Sequence, residues 1–202
     1  MTALLEKSFV VNDTQTIALD FADTMDDAAF YAFCGRNHHL RFERNANGII
    51  VIMPNTGGKT GKRNSEINFE LVLWNRQNQL GVVFDSSTAF KLPNGATRSP
   101  DAAWIGNERW NSLTEQEQER FPPIAPDFVV ELMSASDQLR KAQEKMQEYI
   151  ENGVQLAWLI NPDGQSVFIY RADGTISKTT DFTQKLSGEN VLPNFEFLLS
   201  LL

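Results

Sequence analysis

"PDFVVELMSASDQLRKAQEKMQEYIENGVQLAWLIN", residues 126–161, is the segment that decides the fold. It opens with an apolar, β-branched run and closes with a second one, and each run predicts a buried strand. Between the two runs, five apolar residues recur at helical spacing: Leu139, Ala142, Met146, Tyr149 and Ile150. Strand, helix and strand in this order predict a right-handed crossover in a mixed sheet that carries helices on its faces.

Glu131 interrupts the first of these strands, where an unpaired buried carboxylate would be strongly destabilising. One interpretation pairs it with a structural arginine or lysine. The other interpretation involves Asp101, which directly follows Pro100 and opens the apolar run "AAWI". Two acids meeting at one sheet edge repel each other unless a divalent cation lies between them. Hard oxygen ligands suit magnesium or manganese, and the residues alone leave both interpretations open.

Lys145 lies on the helix that follows the Glu131 strand. Winding that helix at about 100° per residue places Lys145 on the flank of the apolar stripe, next to Tyr149. A lysine in this position can reach a centre built around Glu131. The alternative is a lysine whose stem covers apolar surface while its charge stays in water.

The remaining patterns predict one domain over residues 1–202. "TMDDAAFYAFCGR" predicts a short helix, and "LRFERNANGIIVIMP" predicts a hairpin that turns at Asn47-Gly48. "KRNSEINFELVLWNRQNQLG" predicts a helix that Gly81 ends, and residues 81–106 predict three short strands. "GGKT" resembles a phosphate-binding loop, but Met53 stands where that motif requires a glycine, so we expect a flexible turn there instead.

Composition and charge narrow the class of protein. Hydrophobic residues make up 42% of the chain, yet no apolar run is long enough to cross a bilayer. No signal peptide is recognisable, and Cys34 is the only cysteine, so we expect a cytoplasmic protein without a membrane partner. The net charge of −8 argues against a general nucleic-acid binder, although it leaves room for a local basic groove.

Four segments together resemble the Uma-type endonuclease family of bacteria, a branch of the PD-(D/E)XK nuclease superfamily. They are "RSPDAAWI", "PDFVVELMSASD", "KMQEYIENGVQLAWLINP" and "GENVLPNFEF", and the likeness extends over roughly residues 20–200. The resemblance implies an α/β protein with a restriction-endonuclease-like core. Its mixed β-sheet would be flanked by helices and preceded by an N-terminal helix-hairpin extension.

The resemblance also implies site residues. Asp101 and Glu131 match the acids that hold Mg²⁺ or Mn²⁺, together with the main-chain carbonyl of Leu132. Met133 stands where the superfamily usually has its lysine, and the Uma-type pattern points instead to Lys145. Glu66 resembles an additional acid on the first helix of the core.

The implied activity is metal-dependent hydrolysis of phosphodiester bonds in DNA, and cutting two strands would suit a homodimer. The alternative is a nuclease-like scaffold that has lost turnover and binds nucleic acid or a protein. Met133 and the acidic charge favour that alternative. Lys59, Lys62, Arg63 and Arg98 are candidates for phosphate contacts or, equally, for solvent-exposed charge.

Overall fold

The computed structural model describes residues 10–11, 17–20 and 25–202 of the chain. Its contacts divide the chain into two compact units. The N-terminal unit comprises Met1–Asn55, Ala89–Ser99 and Glu115–Ile124, and the core unit comprises Thr56–Thr88, Pro100–Thr114 and Ala125–Leu202. Each unit has its own sheet and its own cluster of buried apolar side chains. The single domain expected from the sequence stays a prediction.

Elements are numbered in chain order. The N-terminal unit contains β1 (Val10–Val11), β2 (Ile17–Asp20), α1 (Asp27–Arg36), β3 (Arg41–Arg44), β4 (Ile49–Met53), β6 (Phe90–Lys91), β7 (Thr97–Arg98) and α4 (Glu115–Glu119). The core unit contains α2 (Gly58–Asn78), β5 (Gly81–Asp85), β8 (Ala102–Gly106), α3 (Asn107–Asn111), β9 (Phe128–Leu132), α5 (Leu139–Glu151), β10 (Leu156–Asn161), β11 (Ser166–Arg171), β12 (Ile176–Thr179), β13 (Lys185–Ser187), β14 (Glu196–Leu198) and a 3₁₀ turn (Leu199–Leu201).

The N-terminal unit contains the predicted helix and hairpin. Its sheet has the order β1-β2-β4-β3-β7-β6, and β3 and β4 form the hairpin around a loop that includes Gly48, whose φ is +81°. Asp26 begins α1, because its carboxylate accepts a hydrogen bond from Ala29 N at 2.8 Å. Phe30, Phe42 and Ile50 form the small core of this unit.

The core unit contains a mixed sheet of order β12-β11-β10-β9-β8-β5. Strands β9 and β10 are parallel, from Phe128 opposite Leu156 to Leu132 opposite Ile160, and the other neighbouring pairs in this sheet are antiparallel. Both central strands are rich in apolar residues because they are buried on both faces, and Glu131 is the exception in β9. The predicted strand-helix-strand arrangement and the mixed sheet are therefore confirmed.

The C-terminal segment closes the core. Strands β13 and β14 pair, and the segment contributes Leu192, Phe195, Phe197 and Leu199 to the buried cluster. The ring of Phe195 stacks on Trp158 at a centroid distance of 5.8 Å. This packing covers the sheet with aromatic surface, as the apolar tail of the sequence indicates.

Gly81 has a different role from the predicted one. Helix α2 ends earlier, at Asn78, and the next residue, Gln79, has a left-handed backbone with φ of 54°. Gly81 begins β5, where an added Cβ would lie 2.2 Å from the carbonyl oxygen of Ile105. Position 81 therefore requires glycine because β5 lies close to β8, and not because a helix ends there.

Two further expectations were wrong in detail. Helix α2 begins at Gly58, so the glycine-lysine stretch that the sequence suggested as a loop forms its first turns. Residues 81–106 contain four strands and not three. The sequence did not separate β6 from β7 because each spans only two residues. Within the described part of the chain, no helix is long and apolar enough to cross a membrane.

Candidate active site

Strands β8 and β9 place Asp101 and Glu131 side by side. Ala102 pairs with Val130 in an antiparallel register, so the next opposed positions are Asp101 and Glu131. Asp101 lies just before β8, and its Oδ2 accepts a hydrogen bond from the N–H of Leu132, the residue next to Glu131. The structure therefore brings together two acids that are thirty residues apart in sequence.

Hydrogen bonds fix the carboxylate of Asp101 from two sides. Its Oδ2 accepts from the main-chain N–H of Leu132 at 2.8 Å, and its Oδ1 accepts from Asn64 Nδ2 at 2.9 Å. Both are hydrogen bonds to a charged acceptor, which are stronger than bonds between neutral groups. The first of them ties the Asp101 side chain to the end of β9, directly beside Glu131.

Helix α2 supplies two asparagines to this corner of the core unit. Asn64 and Asn68 are four residues apart and therefore lie on one face of the helix. Asn68 Nδ2 donates to the main-chain oxygen of Asp101 at 3.0 Å, whereas Asn64 donates to the side chain. Sequence reasoning assigned neither contact, although the spacing of the asparagines beside the apolar stripe of α2 was a usable signal.

Asn64 Oδ1 is buried and accepts no hydrogen bond from the residues that the structure describes. A buried acceptor without a donor costs about 1–3 kcal/mol. Turning the amide over would set this oxygen against the Asp101 carboxylate, so the bond to Asp101 determines which amide atom is left over. An unsatisfied acceptor therefore lies on the side chain that holds Asp101.

Lys145 and Tyr149 neutralise and bind Glu131. Lys145 Nζ lies 2.7 Å from Glu131 Oε1, and Tyr149 donates its hydroxyl to the same oxygen at 2.9 Å. The side chains of Lys145 and Glu131 are only 17% and 15% exposed. The position of Lys145 on the flank of α5 agrees with the helical winding, and the ion pair explains how a carboxylate is accommodated in an apolar strand.

The other predicted positions have clear locations. The Leu132 carbonyl lies on the same side of β9 as its N–H, and hence on the Asp101 side. Met133 is 6% exposed, and its N–H donates to Ile160 O at 2.8 Å, so this position supplies no cation to the site. Glu66 lies about 200° around α2 from Asn64, and the helix therefore turns it away from Asp101.

The oxygen atoms at this corner fit a magnesium ion. Magnesium is usually bound through one or two carboxylates and retains several waters, which donate hydrogen bonds to nearby acceptors. Asp101 and Glu131 supply the carboxylates, and Asn64, which donates a hydrogen bond to Asp101, carries the buried acceptor Oδ1. Among the described residues, no three His, Cys, Asp or Glu side chains form a metal-binding group. The arrangement suits a hydrated hard cation better than zinc.

The candidate phosphate contacts differ in exposure. Lys59 and Lys62 are exposed on the first turns of α2. Arg63 Nε donates to the main-chain oxygen of Leu202 at 2.8 Å, and in the N-terminal unit Arg98 lies 3.2 Å from the buried Glu43. Arg63 and Arg98 therefore have structural partners, and the two lysines remain the accessible cations of the four.

These features define the class of protein: an α/β fold with a restriction-endonuclease-like core, whose mixed sheet is flanked by helices. Residues 27–201 match the family model Uma2, described as "Putative restriction endonuclease", and the chain belongs to this family. The chain is also similar to a crystal structure titled as a putative nuclease belonging to DUF820 from Anabaena variabilis. The TM-score is 0.68 at 21% identity, over 80% of this chain and 91% of that chain. Comparison with curated proteins gave no match.

Proposed function

We propose that the protein is a metal-dependent endonuclease that hydrolyses phosphodiester bonds in DNA. Asp101, Glu131 and the main-chain carbonyl of Leu132 would hold Mg²⁺ or Mn²⁺, and Lys145 would assist the reaction. The observation that carries the proposal is that Asp101, whose Oδ2 accepts from the N–H of Leu132, lies next to Glu131, with Lys145 Nζ 2.7 Å from Glu131 Oε1. Membership of a family described as restriction endonucleases supports the same reaction class.

In the reaction, a water oxygen bonds to phosphorus as the bond from phosphorus to the leaving ester oxygen breaks. The water loses a proton, and the leaving oxygen gains one. When bound, the metal ion supplies acidity to the attacking water and positive charge for the scissile phosphate.

The residues of the chain have separate roles in this proposal. Asp101, held by Asn64 and by the N–H of Leu132, presents a fixed carboxylate. Lys145 provides a preorganised positive charge that stabilises the charge developing on the phosphate oxygens. Tyr149 holds Glu131 Oε1 in place through its hydroxyl. Glu66, which lies about 200° around α2 from Asn64, would support the metal only through water.

A cleavage assay tests the proposal. Single-stranded, duplex and branched DNA would each be incubated with Mg²⁺ or Mn²⁺ and with the wild type, Asp101→Asn or Lys145→Met. We expect at least one substrate to be cut, the cut to require the metal, and each variant to be at least about 100-fold slower. Metal-dependent cutting that Asp101→Asn leaves unchanged would contradict the proposed site.

The second candidate is a nuclease-like scaffold without turnover. It is favoured by Met133, which is buried where related nucleases usually have a lysine, and by the net charge of −8. On this alternative, DNA binds but stays intact with every metal. Electrophoretic mobility shifts, measured beside the cleavage assay, separate the two functions. The homodimer expected for double-strand cutting stays a prediction, and sedimentation analysis tests it.

A further inference from the structure

The two asparagines of α2 contact Asp101 in different ways. Asn64 binds the carboxylate, whereas Asn68 binds the main-chain oxygen of the same residue. Asn68 Nδ2 also donates to the main-chain oxygen of Asn64 at 3.1 Å. Asn68 is thus part of the local packing between α2 and β8, and Asn64 acts on the group that would bind a cation.

The buried Oδ1 of Asn64 distinguishes it further from Asn68. Proteins rarely leave a buried acceptor without a donor, and such an atom calls for an explanation. The bond from Nδ2 to Asp101 fixes the amide so that Oδ1 is the leftover atom. A hydrated magnesium ion offers O–H donors of the kind that this oxygen lacks within the described residues.

We infer that Asn64 is a positioning residue for the cation: its Nδ2 orients the carboxylate of Asp101, and its Oδ1 accepts a hydrogen bond from a water of the hydrated ion. This inference rests on the proposed function, because it requires a cation at Asp101. Groups that hold a metal-ligating carboxylate commonly change metal affinity or activity by 10–100-fold when they are removed. Asn64 binds the cation only through Asp101 and water, so it is not itself a catalytic residue.

Two substitutions at Asn64 should affect magnesium binding differently. Asn64→Ala removes both the donor and the acceptor, and we expect the Kd for MgCl2 to rise about 10–100-fold. Asn64→Asp keeps the size of the side chain but adds a carboxylate beside Asp101. We expect it to bind Mg²⁺ at least as tightly as the wild type, because the ion offsets the added repulsion. A general loss of stability would weaken Mg²⁺ binding in both variants.

Calorimetric titration of the full chain with MgCl2 measures these affinities without a cleavage assay. Asn68→Ala is the matched control, because it removes a hydrogen bond to the same residue without touching the carboxylate. We expect its Kd to stay within about threefold of the wild type, well below the change typical of groups around a metal site. The inference is overturned if Asn64→Ala binds Mg²⁺ like the wild type, if Asn68→Ala weakens binding equally, or if Asn64→Asp weakens it.

The same titration separates a failure of this inference from a failure of the proposed function. If the wild type binds neither Mg²⁺ nor Mn²⁺, or if Glu131→Gln binds as the wild type does, the proposed metal site itself is wrong. If the wild type binds, Glu131→Gln does not, and Asn64→Ala is unaffected, only the role of Asn64 is wrong. Melting each variant without metal checks that it is folded, so a loss of binding reflects the site.

Discussion

Lys145→Met should separate the structural role of Lys145 from its proposed catalytic role. Methionine keeps the length of the stem and a high helix propensity while it removes the charge that lies 2.7 Å from Glu131. Lys141→Met is the matched control, because Lys141 lies one turn earlier on the same helix and its side chain is exposed. Each variant loses one positive charge, and Lys145→Met removes the ammonium group that lies 2.7 Å from Glu131 Oε1.

The expected destabilisation follows from the burial of the pair. Removing one partner of a buried ion pair costs about 3–5 kcal/mol, because the other charge remains buried. The side chains here are 17% and 15% exposed, so the lower end, about 3 kcal/mol, applies. For a chain of this size, that corresponds to a fall in Tm of roughly 6–12 °C. Lys141→Met should lose less than about 1 kcal/mol, as exposed ion pairs do.

Magnesium should stabilise Lys145→Met without restoring its cleavage activity. A native-state ligand at a hundredfold excess over its Kd stabilises by about 2.7 kcal/mol, which raises the Tm of the wild type by roughly 5–10 °C. The rise should be at least as large for Lys145→Met, because a cation at Glu131 compensates for the missing lysine. Cleavage should nevertheless fall at least about 100-fold, since the charge beside the scissile phosphate is gone.

Differential scanning calorimetry without and with MgCl2 gives the Tm of each protein and its rise on magnesium binding. The cleavage assay then gives the loss of activity. If Lys145→Met melts within about 2 °C of Lys141→Met without metal, less than the shift expected per kcal/mol, the ion pair does not stabilise Glu131. If magnesium stabilises Lys145→Met less than it stabilises the wild type, the cation does not bind at Glu131. Either result refutes the reasoning.

Three further predictions test the fold and the site. Gly81→Ala should lower the free energy of unfolding in urea by about 1–3 kcal/mol, because its Cβ would lie 2.2 Å from Ile105 O. Gly61→Ala is the control: the space around that position is open, so the substitution should be neutral or stabilising. Burial raises the pKa of the Cys34 thiol from 9.0 to about 11. At pH 8, iodoacetamide should therefore alkylate Cys34 about 100-fold more slowly in the folded protein than in the urea-unfolded chain. Equal alkylation rates would contradict this prediction. Glu131→Gln should abolish the magnesium-induced rise in Tm, and an unchanged rise would place the metal elsewhere.

The sequence predicts the centre of the fold well because its signals there are local. Strands β9 and β10 are strongly apolar apart from Glu131, and α5 has an apolar stripe at helical spacing. All three can therefore be recognised without knowledge of distant contacts. Lys145 was placed correctly for the same reason: the strand that bears Glu131 leads directly into the helix that bears the lysine.

The features that the sequence did not predict depend on tertiary contacts. The glycine at position 81 is explained by Ile105 and Trp104 of a neighbouring strand, which no local pattern indicates. The first turns of α2 contain glycines, whose low helix propensity favours a loop when each residue is considered alone. Strands β6 and β7 are too short to show a period of two.

The candidate site combines both kinds of information. The identity of its acids followed from the resemblance, whereas their adjacency depends on the register of β8 against β9. The bond from Asn64 to Asp101 joins residues 37 positions apart, and only the structure reveals it. The role of Glu66 at the site stays a prediction.

The central claim is that Asp101 and Glu131 jointly bind a divalent cation, and anomalous diffraction from crystals soaked in MnCl2 tests it most directly. We expect one strong anomalous peak within about 2.0–2.2 Å of a carboxylate oxygen of each residue, as inner-sphere binding of a small hard cation requires. A manganese peak bound elsewhere, or no peak at these acids in crystals that contain the ion, would contradict the account.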